Sequence, residues 1–212
     1  MDTIGIINFD TFIVAVLLVT ITPGASTLFI LNQSISKGRK AGVFAAIGIT
    51  LGALVHCIAL GLGLSAILSN SVIIFEAIKY AGAGYLVYLG LKSVFAPSFS
   101  NTISEESNIN FKSGHVLLSG ILTDVLNPKV ALFFLAFIPQ FIEPGRVDNL
   151  ISLLFLGLIF VIIGGLWCLF LALFSSKVSI RLKKNSKTGK WLNYLTGTIF
   201  ISLGLKLAVF KK

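Results

Sequence analysis

Phe9 to Leu31 reads FDTFIVAVLLVTITPGASTLFIL, an apolar run interrupted near its middle by Thr22-Pro23-Gly24. About 20 apolar residues cross the hydrocarbon of a bilayer as one helix. Within such a helix Pro23 removes a backbone donor and frees a carbonyl one turn back. Lipid tolerates unpaired groups of that kind only where they face protein or a water-filled cavity. The flank before the run carries Asp2 and Asp10 and no Lys or Arg, the reverse of a basic secretory n-region, and no A-x-A site follows. The run is therefore expected to be a retained first transmembrane helix, not a cleaved signal peptide.

The rest of the chain has the same character. Of 212 residues, 56% are hydrophobic and 12% charged, with 18 Phe and 20 Gly, and the mean hydropathy is +0.97. A soluble domain carries about 25% charged residues, so there is too little charge here to coat a water-facing surface. That excludes a disordered tail, a disulfide-rich secreted scaffold and an ordinary cytosolic enzyme. The expected fold class is all-α and polytopic, with six transmembrane helices at roughly Phe9–Leu31, Ala41–Leu68, Val72–Phe95, Gly114–Ile142, Leu150–Ser175 and Trp191–Phe210. Tyr80, Trp191 and Tyr194 fall near the ends of these runs, where amphipathic rings favour the headgroup layer.

The net charge of +9 reflects 17 basic against 8 acidic residues. In so apolar a chain the basic residues read as cytoplasmic loop anchors; their loops lack the interleaved aromatics of a nucleic-acid surface. Lys37, Arg39 and Lys40, then Lys92 and Lys112, then Lys177, Arg181, Lys183, Lys184, Lys187 and Lys190 share one face. Lys79, Arg146, Lys206, Lys211 and Lys212 share the other with most of the acids. The positive-inside rule makes the first face cytoplasmic and puts both termini on the outer side.

The polar stretch from Ala96 to Ser113 divides a single transmembrane domain into two halves of three helices, about 1–95 and about 114–212. Tyr80-AGAGYLVY-Leu89-Gly90-Leu91-Lys92 in the third helix returns 114 residues later as Tyr194-LTGTIFIS-Leu203-Gly204-Leu205-Lys206 in the sixth. Thr22-Pro23-Gly24 in the first is answered 105 residues on by Asn127-Pro128-Lys129 in the fourth. Three spans is an odd number, so the second half inserts upside down. The expected plan is two inverted repeats with proline-broken helices one and four, whose paired breaks mark a binding site near the midplane.

Asp124 and Lys129 fall in the middle of the fourth helix. Each costs about 2.5–3.5 kcal/mol to insert at a helix centre. Five residues of spacing puts them about 140° apart on a straight helix, and a break at Asn127-Pro128 would turn both toward one cavity. They read either as a structural ion pair or as a polar site whose carboxylate receives an ammonium and whose ammonium receives a carboxylate. His56 shares a helix face with Gly48 and Gly52 and is either a buried hydrogen-bonding group or a proton relay. Thr20, Thr22, Ser26 and Thr27 surround Pro23, positioned to re-satisfy the broken backbone or to contact a zwitterionic solute. No HExxH, CxxC, P-loop or GxSxG is present, so neither an enzyme nor a bound cofactor or metal is expected. Cys57 and Cys168 lie inside apolar runs, 111 residues apart in the second helix of each half; a transmembrane thiol redox conduit is one rival reading, and a divalent-metal exporter the other.

Thr22–Gly42, TPGASTLFILNQSISKGRKAG, followed by Gly48-x3-Gly52-x3-His56, resembles the first signature of the lysine exporter superfamily. Gly120-ILTDVL-Asn127-Pro128-Lys129-VALFFLAFIPQF resembles the second signature of its homoserine/threonine resistance branch, and the GAGYLVYLG stretch is similar to the family as well. The resemblance spans essentially the whole chain. It implies a bacterial inner-membrane exporter of small amino acids, coupled to protons, often a homodimer, and Pro23, Gly24, Asn127, Pro128 and Lys129 carry over from it directly. With Thr22, Ser26, His56 and Asp124, read from the residues themselves, they are the expected residues of transport. Ala25 and Ser26 replace the second proline and the amide or carboxylate of the family's Pro-Gly-Pro motif, and Asp124 replaces its common Asn.

Overall fold

The computed structural model describes residues 5–64, 72–95, 112–143, 150–184 and 186–209. Apart from one isolated bridge between Ile6 and Ile142, the regular elements described are all helical. In chain order they are α1 (Phe9–Ile21), α2 (Ala25–Ser36), α3 (Arg39–Ala59), α4 (Val72–Val94), α5 (Ser113–Val125), α6 (Pro128–Leu132), α7 (Leu150–Lys184) and α8 (Ser186–Val209). A π-helical turn, Leu60–Leu64, extends α3, and a π-helical turn Phe133–Phe137 and a 3-10 turn Ile138–Phe141 extend α6.

The expected first and fourth helices are each two helices. α1 and α2 meet at 46°, and α5 meets the segment Pro128–Phe141 at the same angle. The cause is local. A proline crowds the residue before it out of the helical region, and both preceding residues are extended, Thr22 at ψ 118° and Asn127 at ψ 107°. Arg39–Leu62 and Leu150–Ser175 are each long and apolar enough to cross a membrane, and each bent pair is a further candidate span. Helical structure runs past the expected apolar limits, α2 to Ser36 and α7 to Lys184, while α8 begins at Ser186. Hydropathy marks only the apolar part of a helix, and Lys, Arg and Gln are good helix formers. The linker positions 96–111 and the Lys211-Lys212 tail lie outside the described residues.

Glycines set the closest helix contacts. A Cβ added at Gly90 would sit 2.7 Å from the Gly197 carbonyl oxygen and 2.9 Å from the Ile201 nitrogen; at Gly204 it would sit 2.8 Å from the Ala83 oxygen and 3.1 Å from the Val87 nitrogen. α4 and α8 thus run antiparallel at backbone contact, as small residues permit in membrane helices. α3 and α7 are also antiparallel, Gly157 lying on Cys57 and Gly165 on Thr50. α3 and α5 run parallel, Gly52 against Asp124 and Gly120 against the Ala45 carbonyl.

The interior forms two apolar clusters. One joins Phe12, Val16 and Val19 of α1 to Cys57, to Val130, Phe133, Phe134 and Phe137, and to Leu153, Leu156 and Phe160 of α7. The other joins Ile30 of α2 to Ala45, Ala46 and Ile49 of α3, Val116 of α5 and Cys168, Leu171 and Ala172 of α7. Both breaks lie between these clusters. Outward, the helices expose large apolar side chains such as Leu62, Leu126, Ile151, Ile162 and Leu166, a surface suited to lipid.

Candidate functional site at the paired helix breaks

Pro23 and Pro128 interrupt two helices that α7 crosses, and the polar groups freed there are met from other helices. The Lys129 ammonium donates to Val19 O at 3.2 Å, in the last turn of α1, and to Thr22 O at 3.1 Å, on the residue that caps it. A cation at a helix C-terminus is favoured by the helix dipole. Gly24 leaves room for it: a Cβ there would stand 3.3 Å from Lys129 Nζ. At the second break the Asn127 side chain accepts from Lys129 N at 3.1 Å, capping α6.

Ser26 ties the two breaks together. Its hydroxyl donates to Asp124 Oδ1 at 2.8 Å and accepts from Asn127 Nδ2 at 3.0 Å. His56 Nε2 lies 3.1 Å from Asp124 O, and its ring stacks on Phe134 at 5.8 Å between centroids. Asp124 is only 2% exposed, yet its Oδ2 has no hydrogen-bond partner. The Lys129 ammonium is held by backbone carbonyls, and one Asp124 carboxylate oxygen is left without a hydrogen-bond partner.

Asp124 and Lys129 line one cavity of about 50 Å³ with Ser26 and Thr27. A water needs about 10–15 Å³ measured this way, so the space holds several water-sized molecules. Its walls are mostly apolar: Val19, Ile49, Ala53, Val130 and Phe160. Trp167 and Cys168 of α7 also face it, and the buried Trp167 Nε1 has no hydrogen-bond partner. Asp124 and Trp167 thus line one cavity, and each carries a buried polar atom without a hydrogen-bond partner.

Of the nine residues singled out from sequence, Ser26, Asp124 and Lys129 reach the cavity. Thr22, Pro23 and Gly24 shape the first break, with the Thr22 hydroxyl back on Leu18 O at 2.6 Å. Asn127, Pro128 and His56 shape the second. Thr20 lines the cavity wall while its hydroxyl returns to Val16 O at 2.8 Å. Trp167 and the Gly164-Gly165 pair, which bring α7 against Thr20 and Thr50, carry no break or charge that sequence reading would notice. Cys57 and Cys168 are free thiols in separate apolar clusters. Among the described residues no three His, Cys, Asp or Glu side chains converge to hold a metal.

A model of the LysE type translocators matches residues 17–210. The chain belongs to the LysE translocator family. Among its relatives, the uncharacterized membrane protein YrhP of Bacillus subtilis is 34% identical over 89% of this chain and 92% of its own length. The uncharacterized membrane protein PA4757 of Pseudomonas aeruginosa is 29% identical over 98% of both chains. The leucine efflux protein of Salmonella typhimurium is 28% identical over 98% of this chain and 97% of its own. No solved structure matches the chain. The family match covers both breaks, so Pro23, Asp124 and Lys129 all lie within the shared sequence.

Proposed function

We propose that this LysE-family translocator exports small neutral amino acids from the cytoplasm across the bacterial inner membrane, by proton antiport and alternating access between two inverted three-helix repeats. The observation that carries this reading is the buried Asp124, whose Oδ2 has no partner and which lines a cavity between two proline-broken helices. Broken half-helices around such a cavity are how many secondary transporters build a substrate site. A full-length relative named as a leucine efflux protein supports an amino-acid cargo.

A zwitterion needs one acceptor and one donor. Asp124 Oδ2 receives the substrate ammonium or, between cycles, the coupling proton. Trp167 Nε1–H donates to the carboxylate, while Lys129 supplies positive potential from its place on the α1 carbonyls. The apolar wall of Val19, Ile49, Val130 and Phe160 takes an uncharged side chain. One proton moved through 100 mV is worth about 2.3 kcal/mol and a tenfold gradient costs about 1.4 kcal/mol, so one proton sustains roughly a fortyfold amino-acid gradient.

Helix directions support the repeat. Antiparallel α4/α8 and α3/α7 with parallel α3/α5 are what six alternating crossings require. The α4/α8 contact also maps onto itself: shifting Ala83, Val87 and Gly90 by 114 residues gives Gly197, Ile201 and Gly204, the residues they meet. The test is uptake of labelled amino acids into inverted vesicles with and without a pH gradient. Saturable, gradient-dependent uptake of neutral amino acids is expected. Its absence for every amino acid overturns the reading, and uptake of divalent metal ions in its place selects the metal-exporter rival.

A further inference from the structure

Both prolines leave the same debt in the backbone, and both debts are met from another element. In an α-helix the N–H of residue i donates to the carbonyl of residue i−4, so a proline at i leaves that carbonyl without its donor. For Pro23 the carbonyl is that of Val19, and Lys129 Nζ stands 3.2 Å from it. For Pro128 the carbonyl is that of Asp124, and His56 Nε2 stands 3.1 Å from it. A carbonyl oxygen only accepts, so the imidazole donates there and carries its hydrogen on Nε2. The Asn127 N–H also reaches Asp124 O, at 2.9 Å, from a tightened turn; a carbonyl has two lone pairs, and His56 takes the one Pro128 leaves.

We propose that His56 is a positioning residue of the transport site: from α3 it lends the second break the hydrogen-bond donor that Pro128 lacks, as Lys129 does for Pro23. Several observations converge on this role. His56 does not line the cavity and so meets no substrate there. Its ring is fixed by stacking on Phe134. Its acceptor is the main chain of Asp124, a residue that lines the cavity, so the bond sets where that side chain starts from. Gly52, one turn before His56, brings α3 close enough for this reach; a Cβ there would lie 2.6 Å from Asp124 Cβ. A break closed by a borrowed side chain is released and re-made by a rotamer change, with no helical turn unwound. That property suits two half-helices that must swing between inward-open and outward-open states.

The test is a double-mutant cycle on the full chain, purified and reconstituted in proteoliposomes. His56→Leu removes the donor; His56→Gln keeps an N–H near the Nε2 position; Pro128→Ala restores the backbone N–H. His56→Leu is expected to lower the melting temperature by about 3 °C with Pro128 present, and by under about 1 °C in the Pro128→Ala background. Initial uptake of labelled leucine is expected to fall at least about tenfold in His56→Leu and to stay within about threefold of wild type in His56→Gln. Should His56→Leu not accumulate, the double variant with Pro128→Ala must accumulate. An equal melting shift in both backgrounds, a His56→Gln variant as impaired as His56→Leu, or a double variant that also fails to accumulate overturns the assignment. The transport arm rests on the exporter reading; the melting arm does not, so a protein that moves no amino acid and still shows the cycle overturns only the exporter reading.

Discussion

The two breaks bend their helices by the same 46° and close their ends differently. At the second, Asn127 caps the helix that follows, its side chain accepting from Lys129 N. At the first, Gly24 precedes α2 with no side-chain cap, so the first N–H groups of α2 have neither an intrahelical partner nor a cap. Positive ends are thus arranged in opposite ways. The second break is sealed on both sides, while the first is sealed only on its α1 side, by the Lys129 ammonium. Equal geometry with unequal closure teaches that matched prolines fix the shape of such a site, and the side chains borrowed by each break fix its chemistry.

The comparison breaks first at the carboxylate. Asp124→Ala removes the free oxygen and the Ser26 contact together; uptake is expected to fall about a hundredfold or more, the scale of losing a hydrogen bond to a charged group. Full-rate export by a normally expressed variant would remove Asp124 from the site. Lys129→Met keeps most of the apolar stem and deletes the donor to Val19 O and Thr22 O. Uptake is expected to drop about tenfold to a hundredfold with a lower melting temperature. Adding Pro23→Ala should recover part of the stability and little of the transport, and recovery of neither would show that the first break is not held by this bond.

Two smaller changes sharpen it. Trp167→Phe keeps an aromatic ring and loses the N–H with the pyrrole half of the indole; the Michaelis constant for a neutral amino acid should rise about tenfold with the maximal rate within about twofold. A change in maximal rate alone would place Trp167 in the conformational cycle instead. Asn127→Ala removes the cap that the first break never had, at about 1 kcal/mol. Its melting temperature should fall by a few degrees, and a loss as large as that of Lys129→Met would mean that the two breaks are closed alike after all.

Those features that sequence alone makes legible are local ones. Membrane class follows from scarce charge, and both breaks follow from proline chemistry acting on the residues beside it. The second wall of the cavity is not local. Phe160, Gly165 and Trp167 sit in the middle of the 35-residue α7, with no proline, charge or turn to mark them. Only the packing of α7 across the first break, with Gly164 against Thr20, brings them to Asp124 and Lys129. Periodicity also misleads after Phe133, because a π-helical turn shifts the side chains that follow it around the axis. Ile138 and Phe141 are buried beyond such a turn. The Lys129 bonds to α1 were equally out of reach, since they join positions 110 and 107 residues apart.

The self-mapping contact between Gly90 and Gly197 and between Gly204 and Ala83 has a consequence for ancestry. A surface that fits its own image is the mark of a two-fold homodimer. On the repeat reading, two separate three-helix chains, inserted in opposite senses, would meet through the same glycines that now join α4 to α8. On that reading fusion leaves each half free to keep a different hydrogen-bond donor, lysine at one break and histidine at the other, where two identical chains would carry the same one twice.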